Sequence, residues 1–394
     1  MDSQNAYAKA QDAQLRLLAW LREDACPLWS TRGVDGVFGG FQELLNGADP
    51  VIAPRRVRVQ PRQIAAFAGA ARLGWQGDVT ALVAHGLKYL RQRYRRTDGS
   101  YRGLIEADGA VLDDRALLYD QAFVLLGFAE SQKVLGASGR DALCASAADD
   151  ARALRELLFR SFKRAGPGFE SAVETSLPLS ANAHMHLFEA SLACIEVDSD
   201  PEWQALADEI GELALAKFID ASSGIVREHF GPTWAPLPGI AGRLLEPGHH
   251  FEWAWLLLRW GANRAAVRQA ALRLIEIGER HGLHQGVAIN ALLDDFSIHD
   301  ACARLWPQTE RLKAAALAAR VTGERHSWVI ANEAADALWR YLQTPVRGCW
   351  YDRLMPYGRF IAEPSPASSF YHIVGAIAEL TAAVQRPPEV SGKS

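Results

Sequence analysis

The sequence predicts an all-α fold, an (α/α)6 barrel of six helical hairpins with long loops gathered at one mouth. Three observations predict it. Helical periodicity, with apolar residues at three- and four-residue steps, runs through most of the 394 residues. Short apolar helices open near residues 61, 119, 182, 248, 307 and 366, at spacings of 58 to 66 residues. A longer, more charged helix alternates with them. Such a period, repeated six times, marks a helical-hairpin array. Its apolar helices belong inside and its amphipathic ones outside. Closure into a ring makes residues 1–394 one domain, with a disordered tail at about 387–394. An open solenoid is the competing architecture.

The elements follow in order. Residues 12–25 carry the first long helix, and a Gly-rich passage at 34–41 fits a short hairpin. Pro61 suits the first position of an apolar helix that Gly74 ends. Gly77-Asp78 leads into its charged cover, which runs to about Arg96. A Gly- and Asp-rich loop (98–114) precedes Tyr119-Asp120-Gln121-Ala122-Phe123 and the second apolar helix, covered by 140–164. Asn182-Ala183-His184-Met185-His186-Leu187 opens the third, and Pro201-Glu202-Trp203 begins a cover reaching about Asp220. Glu246-Pro247-Gly248-His249-His250-Phe251-Glu252-Trp253 opens the fourth, covered by 263–282. Leu305-Trp306-Pro307-Gln308-Thr309-Glu310 opens the fifth, and Thr322-Gly323-Glu324 precedes a cover to about Gln343. Ser368-Ser369-Phe370-Tyr371-His372 opens the last.

Composition bounds the function. Hydrophobic residues make up 49% and charged ones 22%, which suits a large folded core. A net charge of −4 gives no pull toward nucleic acid. The first residues lack the pattern of a signal peptide, and no apolar run reads as long enough to span a bilayer. Five scattered cysteines without a CxxC pair suit a reducing compartment, so a cytoplasmic location is expected. There is no GxGxxG, no GxxxxGK[ST] and no HExxH, so no cofactor is expected. His184-Met185-His186 lacks an evident carboxylate partner, so no metal is expected either. A homodimer is compatible with all of this.

The inner helices share one gradient. Their first turns hold Arg62 and Gln63; Tyr119 and Asp120; Asn182 and His186; His249 and Glu252; Gln308 and Glu310; and His372. Beyond the first turn they are almost wholly apolar or small. Burying such polar groups costs several kcal/mol unless they are satisfied, so a polar pocket at one mouth is expected. His249 and Glu252 share a face and outline an acid/base pair. His184 and His250 read as bystanders, His229 as ambiguous, and the outer-helix histidines as exposed. His186 and His372, taken alone, read more readily as satisfied core histidines. Trp234, Trp253, Trp306 and Trp350 suit either sugar faces or core filling. Arg55, Arg56, Arg58 and Arg62 precede or open the first inner helix; on an extended segment Arg56, Arg58 and Arg62 share a side and favour an anion such as phosphate.

These residues carry a pattern. Phe38-Gly39-Gly40-Phe41, Val59-Gln60-Pro61-Arg62-Gln63, Tyr119-Asp120-Gln121-Ala122-Phe123, the segment from Asn182 to Ala190, Pro247-Gly248-His249-His250-Phe251-Glu252-Trp253 and Tyr371-His372 occur in order over nearly the whole chain. Together they resemble the N-acylglucosamine 2-epimerase superfamily, which includes mannose isomerases, sulfoquinovose isomerases and cellobiose 2-epimerases. The resemblance implies an (α/α)6 barrel and a cofactor-free sugar isomerase or epimerase. It implies that His249 and His372 are the acid/base pair, that Glu252 supports His249, and that Arg62, Asn182, His186 and Tyr119 bind an open-chain sugar. Gln63 and Arg58 join them as substrate-binding candidates. Two departures fall at the substrate. Pro364-Ser365-Pro366-Ala367-Ser368-Ser369-Phe370 replaces polar, often amide, residues before the last histidine, and Arg58 stands where many relatives have an aromatic residue.

The expected reaction is isomerisation of mannose or mannose 6-phosphate to fructose or its phosphate through an enediol. His372 is expected to take the C2 proton, His249 to assist ring opening and proton transfer at oxygen, and Arg62 and His186 to stabilise the oxyanion. The runner-up is 2-epimerisation of an N-acylglucosamine or a disaccharide. Glycoside hydrolysis, with Glu252, Glu310 and Asp120 as candidate acids, leaves the histidines without a task. A non-catalytic protein-binding relative is the alternative outside enzymology.

Overall fold

The structure, a computed structural model, describes residues 3–173 and 177–385; the tail expected at 387–394 lies outside the described residues. Six inner helices form the ring: Val59–Arg72, Leu118–Ala137, Ala181–Ile195, Pro247–Gly261, Leu305–Thr322 and Phe370–Gln385. Each packs on the next, and the sixth packs on the first, so the array is a closed barrel and not a solenoid. The outer helices are Ser3–Trp20 (continuing to Thr31), Val79–Tyr89, Asp141–Ser161, Pro201–Leu213, Ala265–His281 and Arg325–Leu342. Among the described residues, none that follows the sixth inner helix forms a cover for it. The first helix of the chain supplies one, packing along it with the Tyr7 hydroxyl donating to the Val384 carbonyl (2.6 Å).

Inner and outer helices differ in burial more than in length, contrary to the expected contrast. Inner helices run 14 to 20 residues and outer ones 11 to 21. The sixth inner helix corrects a second expectation. Residues Ala367–Gln385 are, by length and composition, apolar enough to cross a membrane. The reason is position: the helix is lined on most sides by other helices of the barrel, and 78% of that window is buried.

The mouth carries structure that helical periodicity does not reveal. Neighbouring loops pair through very short antiparallel strands: Arg55–Arg56 with Leu104–Ile105, Leu179–Ser180 with His229–Phe230, Leu244–Leu245 with Ala291–Leu293, and Ala303–Arg304 with Arg353–Leu354. A Leu117–Ala172 bridge joins the second loop to the third, and Leu44–Asn46 pairs with Ser365–Pro366. First and last loops thus meet, and the ring closes a second time.

A polar side chain at the start of each inner helix latches this crown. Gln60 accepts from Phe41 N–H (2.8 Å) and donates to Phe41 C=O (3.0 Å). Gln121 does the same with Tyr101, Gln308 with Ala288 and Ser365 with Trp350. His184 accepts from Phe169 N–H (3.0 Å) and His250 from Val226 N–H (3.2 Å). The Gly39-Gly40-Phe41 turn follows from this packing. Gly40 has φ +71°, and a Cβ there would lie 2.4 Å from the Tyr89 ring and 2.8 Å from Gln60 Oε1. Replacing Gln121 by leucine leaves Tyr101 N–H and C=O buried without these partners. The expected cost is about 2–4 kcal/mol, from two orphaned groups. Equilibrium urea denaturation measures it; an unchanged midpoint would show that the latch contributes nothing.

Candidate active site

A cavity of about 590 Å³ opens at the mouth where the inner helices begin. No side chain caps the first five of them. Their dipoles raise the potential at this end of the barrel, while the Leu118, Ala181 and Leu305 N–H groups donate to the Ser171, Glu228 and Asp352 carbonyls of the crown. Arg58, Arg62, Tyr119, Asn182, His186, His249, Glu252 and His372 all line the cavity, from five elements far apart in sequence. Trp306, His229, Glu246, Arg304, Ser368 and Ser369 join them.

His249 and His372 are held in the same way. His249 Nδ1 bonds Glu228 Oε2 (2.8 Å), and Glu246 lies 3.8 Å from the same nitrogen. His372 Nδ1 bonds Glu310 Oε1 (2.7 Å). Each bond leaves Nε2 as the ring nitrogen available to the cavity. The Trp306 ring touches both imidazoles, with centroids 5.0 Å from His249 and 6.0 Å from His372. Gly248 permits this approach, because a Cβ there would meet that indole at 2.4 Å.

The two rings differ in charge. For His249, burial disfavours the cation, but the Glu228 and Glu246 carboxylates and the bond to Glu228 outweigh it and raise the pKa to about 10. For His372, burial and then the Arg62 and Lys313 cations hold the pKa well below its ordinary value. At neutral pH these shifts favour the cation at His249 and the neutral ring at His372, because their neighbours differ.

Glu252 is not where the sequence reading puts it. It makes no hydrogen bond to His249; its Oε1 lies 3.9 Å from His186 Nδ1. Glu228, from the loop before the fourth inner helix, orients His249 instead. Burial, then the nearby Glu310, raises the Glu252 pKa well above its ordinary value, and Glu252 lines the cavity. His186 also changes role. Burial lowers its pKa to about 4, and its Nδ1 bonds Glu189 (3.1 Å), whose carboxyl is held below its ordinary value. Neutral His186 thus donates to Glu189 and offers Nε2 as an acceptor, not as an oxyanion donor.

Arg62 is the deep cation. It donates to the Tyr119 hydroxyl (2.8 Å) and the Ser368 carbonyl (3.4 Å), and its guanidinium lies 3.9 Å from the Phe123 ring centre. Arg62 Nε, Asn182 Oδ1 and Glu252 Oε1 are buried without a hydrogen-bond partner. Three orphaned polar atoms around one cavity ask for a polyhydroxy ligand. Gln63 does not reach it: its amide donates to the Ala367 carbonyl (2.7 Å), tying the first inner helix to the sixth. Among the tryptophans, Trp306 alone lines the cavity, while Trp234, Trp253 and Trp350 fill the core. His184 and His250 serve as latches. Asp120 is spent on Arg58 (2.8 Å) and Glu310 on His372 and Lys313, so neither is placed as a hydrolase acid.

Three groups bring His and carboxylate atoms within 4.8 Å of one another: His186–Glu189–Glu252, Glu228–Glu246–His249 and Glu252–Glu310–His372. In each, the histidine Nδ1 already bonds a carboxylate, at 3.1, 2.8 and 2.7 Å. Lys313, 2.6 Å from Glu310, further occupies the third. These donors fit hydrogen-bonded acid/base groups better than a cation's shell.

The sequence matches the family model of N-acylglucosamine 2-epimerase (GlcNAc 2-epimerase) over residues 39–376. A mannose-6-phosphate isomerase of Rhizobium meliloti (strain 1021) is 46% identical over 380 residues, covering 94% of this chain and 97% of that protein. A D-mannose isomerase of Marinomonas mediterranea is 26% identical, covering 87% and 91%. In structure, the chain is similar to cellobiose 2-epimerase from Bacillus thermoamylovorans, with a TM-score of 0.83, 19% identity, and 94% and 99% of the two chains covered. With the barrel, the ordered motifs and two glutamate-held histidines at its mouth, this chain belongs to the N-acylglucosamine 2-epimerase family.

Proposed function

We propose that the chain is an aldose–ketose isomerase that converts mannose 6-phosphate, or mannose, to the corresponding fructose through an enediol. One observation carries this: two histidines, each fixed through Nδ1 by a buried glutamate, line one cavity with Arg62. The relative named mannose-6-phosphate isomerase supports the choice of sugar.

The C2 proton of an open-chain aldose is acidic because the carbonyl is adjacent. His372 Nε2 takes that proton. Charge moves to O1, where Arg62 donates hydrogen bonds and His249 delivers its proton. Neutral His249 then takes the O2 proton while His372 returns its own to C1, and the ketose results. His249 also serves ring opening, and Asn182, Tyr119 and His186 hold the hydroxyls. These residues supply acid, base and oxyanion donors themselves. We further propose one domain for the chain and, from its free cysteines, a cytoplasmic location.

Incubation in D2O with mannose, mannose 6-phosphate, N-acetylmannosamine and cellobiose, followed by NMR, tests the reading. The expected result is ketose carrying deuterium at C1. A deuterated C2 epimer would replace isomerase by 2-epimerase, cleavage of cellobiose would point to a hydrolase, and no turnover of any sugar would sink the proposal.

A further inference from the structure

The outer part of the cavity carries charge that isomerisation does not use. Four arginines line the cavity as a whole, Arg56, Arg58, Arg62 and Arg304, against two carboxyl side chains, Glu246 and Glu252. Arg62 serves the reacting carbons. The other three stand nearer to solvent, with side chains 37% (Arg56), 24% (Arg58) and 42% (Arg304) exposed.

We propose that Arg58, flanked by Arg56 and Arg304, forms a subsite for the phosphate of a phosphorylated sugar, and so sets the preference for hexose phosphate over free hexose. This rests on the isomerase reading above.

Geometry favours Arg58 as the centre of the subsite. Arg58 immediately precedes the helix that carries Arg62 four residues on, so the two are about one turn (~5.4 Å) apart along its axis. An extended six-carbon chain spans a comparable length between its reacting carbon and its far end. The Tyr119 ring keeps the pair in register, 5.2 Å from the Arg58 guanidinium and 6.0 Å from that of Arg62. Buried Asp120 grips Arg58 Nη1 from behind (2.8 Å), and no partner among the described residues takes its Nε or Nη2. Those two N–H groups form the fork that suits a phosphate.

The flanking cations are anchored in the same manner. Arg56 is held by buried Glu43, and Arg304 Nε donates to Asp352 (3.1 Å). Asp352 also lies 3.5 Å from the Ser369 hydroxyl, which places Arg304 beside the start of the sixth inner helix. The carboxylates hold the arginines in place but do not line the cavity. A preorganised cation set of this kind is of little use to a neutral sugar.

The test compares steady-state kcat/KM for mannose 6-phosphate and for mannose in the wild type, Arg58→Met and Arg304→Met. The ratio of the two constants is expected to fall ~10–100-fold in Arg58→Met, as for loss of a charge-assisted bidentate contact. A smaller fall in the same direction is expected in Arg304→Met, where the exposed side chain makes folding secure. An unchanged ratio in Arg58→Met overturns the subsite even if both constants drop. Calorimetric titration with mannose 6-phosphate decides independently of turnover. Weaker binding in Arg58→Met supports the subsite, and equal binding refutes it, whether or not the wild type isomerises either sugar.

Discussion

Replacing His372 by asparagine is expected to lower kcat by ~10²–10⁴-fold, the contribution of a positioned general base. Asparagine keeps a polar group beside Glu310 and Trp306 but has no nitrogen that can take a proton. The base role rests on charge. Arg62 on the first inner helix, His186 and Glu189 on the third, Glu252 on the fourth, and Glu310 and Lys313 on the fifth all act on His372, and His249 lines the same cavity. Burial and the Arg62 and Lys313 cations prevail, so the imidazole is neutral well below pH 6.5. The wild-type kcat/KM should therefore keep its value on the acid side of neutrality until His372 protonates. The decisive readout is exchange of the C2 hydrogen of mannose 6-phosphate with D2O. If the folded asparagine variant exchanges within tenfold of wild type, His372 is not the base.

Several parts of this site are legible in the sequence, for a physical reason. Arg62, His249 and His372 are ionisable groups in the first turns of helices that are otherwise apolar, and nothing in a barrel's packing calls for them there. The sixty-residue period does the rest, because it brings six such turns to one end. What stays hidden depends on rotation about each helix axis. Gln63 follows Arg62 directly, yet it is turned ~100° about the helix and binds the Ala367 carbonyl. Glu252 lies three residues from His249, and on an isolated helix the pair would meet. In the ring its carboxyl lies 3.9 Å from His186 Nδ1 of the third inner helix and within the field of Glu310 and Lys313 of the fifth. Glu228 belongs to a loop 21 residues before His249, and Glu310 lies 62 residues before His372. No spacing rule joins such residues; the fold does. The crown of two- and three-residue strands is invisible for a related reason, since each strand is too short to show alternation.

Replacing Glu228 by glutamine should be the second severe lesion, and it separates charge from shape. Glutamine matches glutamate in size and can still accept a bond from His249 Nδ1 through its amide oxygen. What it removes is the negative charge that makes a buried imidazole cationic. In the wild type the folded-state pKa of about 10 lies above the ordinary 6.5. The stabilisation from the His249–Glu228 pair is therefore complete below pH 6.5 and is lost as pH rises through about 10. In the variant burial remains while its main counterweight is gone, so the pKa falls and His249 gives up its proton at a lower pH than in the wild type. Proton delivery to O1 then fails, and kcat/KM at pH 8 is expected to drop ~10²–10³-fold, within the range for a lost acid or its orienting carboxylate. The pH profile discriminates this from simple damage. The alkaline limb should move from near pH 10 to lower pH, with part of the lost rate recovered as pH falls, until His372 protonates. A variant that loses rate equally at all pH values would mean that Glu228 positions the ring but does not charge it, and that the acid in this reaction is a group other than His249.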